Sequence, residues 1–196
     1  MGVYINLYNF LQLVMWAVGL AALPYCYYNN MRNELLQYYI IIQSVMVLDI
    51  LHVILKLVKG QILSTTLQIF SRVYVAWVIL PNQLLHNNFN IWNVCMFTAW
   101  SLAEITRYGF YLRKNSSLIK WFRYSMFIVL YPLGVFAGEV PLIYQHYVQF
   151  KWVGELVLLI AYIPLLPYMF IHMLKQRSKS LKGKKENKEK KEHTKE

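Results

Sequence analysis

Apolar stretches of about 20 residues, the length needed to cross a bilayer as a helix, recur six times along this chain. They run over Ile5–Pro24, Gln37–Leu55, Ile62–Leu80, Ile91–Tyr111, Trp121–Tyr144 and Trp152–Leu174. A single soluble domain of 196 residues has no use for so many. Composition agrees: 58% of the residues are hydrophobic, against roughly 45–50% in soluble domains. The pattern predicts an all-α, polytopic membrane protein. Six transmembrane helices would form one bundle or barrel around an apolar pocket with a polar floor. Residues 1–174 make up that domain and 175–196 a lysine-rich tail.

The formal net charge of +11 is unevenly placed. Ten of the 20 Lys and Arg residues follow Met173, in a tail that also holds four glutamates. The body is hydrophobic with sparse basic loops, so a nucleic-acid partner is not expected. Loops after the second and fourth spans carry Lys56, Lys59, Arg113, Lys114 and Lys120. Those after the first, third and fifth carry Arg32 beside Glu34, nothing, and Lys151. Basic loops stay on the cytoplasmic side, so both termini are expected in the cytosol. The tail has too few apolar residues to bury a core and is expected to be disordered or a frayed helix extension. Cys26 and Cys95 stand alone, without the CxxC spacing of a metal or redox site, and read as small packing residues.

Polar groups inside the spans carry the functional argument, because ionisable residues at bilayer depth are costly. The set is Asp49, Gln68, Arg72, Glu104, Arg107, Tyr108, Arg123, Tyr131 and Glu139. Gln68 and Arg72 are four apart, and Glu104 and Arg107 three apart, so each pair shares a helix face. Asn6, Asn9 and Gln12 form a polar stripe expected to face other helices. The stretch from Arg123 to Glu139, RYSMFIVLYPLGVFAGE, stands out. Pro132 removes a backbone donor beside Tyr131, so a kink or a freed carbonyl is expected there. A carboxylate near a phenol in a buried cavity can manage protons. These residues alone fit an enzyme or a transporter, and interhelical hydrogen bonding accounts for part of the set.

The run LYPLGVFAGE, preceded by AWSLAEITRYGFY, resembles the 3-hydroxyacyl-CoA dehydratases of very-long-chain fatty acid elongation, also called protein tyrosine phosphatase-like. YINLYNF, LDILHVILKLV and LQIFSRVYVAWVI follow the same family in the right order. The resemblance implies a six-span endoplasmic-reticulum membrane enzyme with both ends cytosolic. It implies dehydration of a long-chain 3-hydroxyacyl-CoA to the trans-2-enoyl-CoA, with no cofactor or metal beyond the CoA that the substrate carries. The other elongation enzymes (elongase, ketoacyl-CoA reductase and enoyl-CoA reductase) are implied as partners. Tyr131 and Glu139 would be the catalytic pair, with their acid and base roles unassigned. By motif, Asp49, Arg72, Arg107, Arg123 and Gly134 would bind substrate or support the pocket, with Asp49 standing where most members have glutamate, and Gln68 and Glu104 join them as polar groups of the spans.

Two departures bear on this. The family places its glutamate seven residues after the tyrosine, whereas the interval here is eight. Eight residues rotate away from the original helix face, and a π-bulge would restore it. Gly134 and Gly138 would ease such an irregularity. The altered spacing keeps a catalytically silent scaffold for elongation enzymes as the alternative. A transporter fits less well, because only one broken helix is evident where paired breaks in two halves are usual. The second departure is Val53, which stands where the family has a cysteine, and without a nucleophilic thiol a phosphatase is excluded.

Overall fold

The computed structural model describes residues 2–58, 62–86, 88–114 and 116–193, without the side chains of 62–65 and 181–193. Lys59 and Gly60 of the basic turn, and residues 194–196 of the tail, lie outside the described residues. All regular structure among the described residues is helical. The helices are α1 (Gly2–Tyr28), α2 (Arg32–Val45), α3 (Val47–Ile54), α4 (Ile62–Tyr74) and α5 (Leu80–Leu85). They continue with α6 (Ile91–Leu112), α7 (Ser117–Ser125), α8 (Phe127–Gly134), α9 (Val140–Phe150) and α10 (Val153–His193). π-Helical turns at Val75–Ile79 and Val135–Glu139 join α4 to α5 and α8 to α9.

Four helical stretches are long and apolar enough to cross a membrane: Gly2–Tyr28, Arg32–Ile54, Ser117–Phe150 and Val153–Ser180. The chain is thus a multi-pass membrane protein with its apolar side turned outward. On α1, Leu7, Phe10, Leu11, Val14 and Val18 are exposed while Asn9 and Gln12 are buried. That is the reverse of a soluble helix and follows from lipid being as apolar as leucine. Asn6, the first member of the stripe, is exposed at the rim of a cavity. The third and fourth apolar stretches of the sequence form α4–α5 and α6, which dilute their hydropathy with Gln68, Arg72, Asn93, Glu104 and Arg107.

α6 is the central post, flanked by α1, α8, α7 and the second π-turn. Its start is fixed by a capping box: Asn90 Oδ1 accepts from the Trp92 amide, and the Asn90 amide donates to Asn93 Oδ1 at 3.0 Å. Its apolar side carries Phe97, which stacks on Tyr39 of α2 with centroids 3.8 Å apart, while the Tyr39 hydroxyl meets Ser101 Oγ at 2.8 Å.

Several boundaries differ from those expected. α1 continues through Pro24 to Tyr28, and residues 81–85, which lie between the expected third and fourth spans, are helical. α10 passes residue 174, the expected end of the last span, and runs to His193, so the tail takes the helix-extension form of the two expected for it. Pro132 lies within α8, and the irregularity falls instead at the following π-turn, where Ala137 leaves helical geometry (φ −104°, ψ 15°). The cause is the next proline. Pro141 has no N–H for the Ala137 carbonyl and its ring pushes that carbonyl aside, so the turn widens. Pro81 stands in the same relation to the first π-turn, two residues after Ile79.

Candidate active site

The second π-turn delivers Glu139 to the interior. The glutamate is 5% exposed, and both of its oxygens accept hydrogen bonds. Trp100 Nε1 of α6 donates to Oε1 at 2.7 Å, and the Tyr162 hydroxyl of α10 donates to Oε2 at 2.7 Å. Tyr131, one helix back, donates its hydroxyl to the Leu166 carbonyl at 3.3 Å and packs against Phe170. The glycines between them serve a different end from the one expected. A Cβ on Gly138 would stand 2.9 Å from the Met96 Cα of α6, and one on Gly134 would stand 3.1 Å from the Ala99 Cβ. Neither glycine has a positive φ. Both permit close approach of the bent helix to α6, which brings Glu139 under Trp100.

Behind the pair lies a buried ionic network. Arg72 Nη1 bonds Glu104 Oε1 at 2.5 Å, and Arg107 Nε lies 2.7 Å from Glu104 Oε2. Arg107 Nη2 donates to Asp49 Oδ2 and to the Tyr108 hydroxyl, which itself donates to Asp49 at 2.8 Å. Two guanidinium groups and two carboxylates balance, as burial demands. The Arg72 guanidinium also sits 5.4 Å from the Trp100 ring centroid, a cation–π contact that links the network to the holder of Glu139.

Two cavities meet at these residues. One, of about 710 Å³, is half polar and includes Asn9, Arg107, Lys114, Arg123 and His172 in its wall. The other, of about 540 Å³, is walled mainly by apolar side chains of α4 and α10. Tyr131, Val135, Glu139, Gln68, Arg72, Met169 and Met173 line both. The structure therefore brings Tyr131, Glu139, Gln68 and Arg72 to a single junction. Arg107, Arg123 and Gly134 line the polar cavity alone, and Asp49 and Glu104 line neither. The last two act on the cavity only through the arginines they bind.

Trp100 and Tyr162 are the site residues that sequence reasoning missed. Trp100 had a signal: it stands four residues before Glu104 and seven before Arg107, on the same face of the same helix. Tyr162 had none, being one tyrosine among 16.

Comparison with known proteins gives this arrangement a family. The family model described as "Protein tyrosine phosphatase-like protein, PTPLA" matches residues 43–183. The mouse protein named very-long-chain (3R)-3-hydroxyacyl-CoA dehydratase 1 is 34% identical over 72% of this chain, which spans 58% of the mouse protein's length. Human very-long-chain (3R)-3-hydroxyacyl-CoA dehydratase 2 is 31% identical over 94% of this chain and 83% of its own. The Arabidopsis thaliana dehydratase PASTICCINO 2 is 30% identical over 94% of this chain and 96% of its own. No solved structure matches the chain significantly. With the family model covering residues 43–183 and relatives about 30% identical along most of its length, the chain belongs to the protein tyrosine phosphatase-like (PTPLA) family.

Proposed function

We propose that the protein dehydrates long-chain 3-hydroxyacyl-CoA to trans-2-enoyl-CoA, the third step of the very-long-chain fatty acid elongation cycle. The observation that carries this reading is the meeting of a half-polar cavity and an apolar one at Tyr131 and Glu139. A 3-hydroxyacyl-CoA has the same division: a polar, phosphorylated carrier, an apolar tail, and the reacting carbons between them. Lys114 and Arg123 in the wall of the polar cavity suit the phosphates of the carrier. The names of the relatives support the same substrate class.

The hydrogen bonds suggest the division of labour. Both oxygens of Glu139 accept, as those of a carboxylate do, which suits this group to take the α-proton. The Tyr131 hydroxyl carries its proton, donating it to a carbonyl at rest. On reaction it gives that proton to the β-hydroxyl, and the C–O bond breaks to release water. The electron pair of the Cα–H bond becomes the double bond, and return of the proton from Glu139 to Tyr131 resets the site. Gln68 and Arg72 supply N–H donors for the thioester oxygen as charge builds there. No electrons leave the substrate, so the scheme calls for no redox cofactor, and the named side chains carry both proton transfers.

The eight-residue interval, which favoured a silent scaffold, ends in a π-turn and returns Glu139 to the cavities that Tyr131 lines; this supports the enzyme. We further propose that all six helical stretches cross the endoplasmic-reticulum membrane with both termini cytosolic. Residues 1–174 would be the catalytic domain and 175–196 a cytosolic tail, with the other elongation enzymes as partners. The test is turnover of a long-chain 3-hydroxyacyl-CoA by the purified protein. Wild type is expected to be active, and Tyr131→Phe and Glu139→Gln each to lose about 100-fold or more, the scale of general acid–base catalysis. Folded wild-type protein that is inactive across chain lengths would overturn the enzyme reading.

A further inference from the structure

We infer that Tyr74 is a chain-length gauge: it ends the apolar cavity and fixes how much of an acyl chain the protein can read. The inference rests on the dehydratase reading for its ligand class. Beyond Tyr131 and Glu139, the apolar cavity runs between α4 and α10 towards Tyr74, Val153 and Gly154. Tyr162, which holds Glu139, lies eight residues after Gly154, or about 12 Å along an α-helix. Val153 opens α10, so the cavity runs out where that helix begins.

The phenol at this end is pinned. The Tyr74 hydroxyl donates to Glu155 Oε1 at 3.1 Å. Glu155 is fully buried, and the same oxygen lies 3.0 Å from His146 Nδ1, while His146 Nε2 meets Asn82 Nδ2 at 2.9 Å. Four helices (α4, α5, α9 and α10) thus fix one ring, and the proposed chemistry uses none of these polar groups. Gly154 leaves space for it, since a Cβ there would stand 2.8 Å from the Tyr74 hydroxyl. An apolar side chain would change rotamer as a flexible tail pressed on it, whereas a ring anchored through its hydroxyl holds its position. The cavity is open to the lipid side at Phe70 and Val157, which are 62% and 59% exposed. A tail longer than the passage therefore has to bend aside at Tyr74 to leave through that opening.

The experiment is binding of saturated acyl-CoAs of increasing chain length, which cannot react, to the purified full chain in nanodiscs. A methylene leaving water strengthens binding about fourfold whether lipid or protein receives it, so affinity is taken relative to partition into protein-free nanodiscs, and that ratio should hold up to a defined length and then fall. In Tyr74→Ala that break should move to longer chains. In Ala161→Phe, which fills the cavity between Tyr162 and Gly154, it should move to shorter ones; this second variant decides the matter if the first does not fold. A break at one length in all the folded proteins, or no dependence on chain length, would overturn the gauge. Turnover of 3-hydroxyacyl-CoA measured in parallel separates the two ideas: shifting breaks without turnover leave the gauge standing and remove the dehydratase.

Discussion

The proposed mechanism makes Glu139 the base, and Trp100 and Tyr162 hold its two oxygens in place. Hydrogen bonds to a charged group are worth about 1.5–3 kcal/mol. Trp100→Phe and Tyr162→Phe should therefore each lower kcat about 10- to 100-fold while changing KM little, a split that steady-state kinetics reads directly. A loss confined to KM would assign these two residues to substrate binding instead. Glu104 poses the complementary case. It is fully buried between Arg72 and Arg107, so Glu104→Gln leaves two guanidinium groups facing one carboxylate. Removing one partner of a buried pair costs about 3–5 kcal/mol, and the variant should show a lower melting temperature and poor recovery from membranes.

At the scale of the element, the decisive feature is the π-turn Val135–Glu139. Its origin is local, one residue more than an α-turn holds next to a proline without an N–H, and its effect is to swing Glu139 back to the side of Tyr131. The extra residue should thus be dispensable. Deleting Phe136, whose side chain is exposed, would turn the wide turn into an ordinary one and leave Tyr131, Gly134, Gly138 and Glu139 in place. Activity within about tenfold of wild type is expected, since the helix face is kept when one turn changes from π to α geometry. Complete loss of activity in a folded deletion variant would mean that the bulge itself shapes the site. The proline two residues past each π-turn is visible in the sequence, whereas Pro132, where the break was expected, is absorbed by α8.

At the scale of the whole molecule, charge in the loops sets the expected orientation and the helices set how often the membrane is crossed. Tags at the two ends of the chain, probed with protease in sealed microsomes, should both be cleaved from outside. Cleavage of one and protection of the other would overturn an even number of crossings. The outward-facing apolar residues and inward-facing Asn9, Gln12 and Glu104 already fit a chain whose solvent is lipid.

Much of this was legible in the residues themselves. Hydrophobic runs near bilayer length fix an all-helical membrane protein, because lipid leaves the backbone no partners but its own. Spacing of three and four paired Glu104 with Arg107 and put Gln68 beside Arg72, since those intervals return to one helix face. The motifs singled out Tyr131 and Glu139. Tertiary structure alone decided the rest. Asp49 meets Arg107 across 58 residues of sequence, Tyr162 reaches Glu139 from another helix, and Tyr74 closes a cavity against Glu155, 81 residues away. Such contacts depend on how far helices rotate and how closely they approach. Gly134 and Gly138 set that approach by the absence of a side chain, and periodicity within one helix holds no information about the neighbour it will meet.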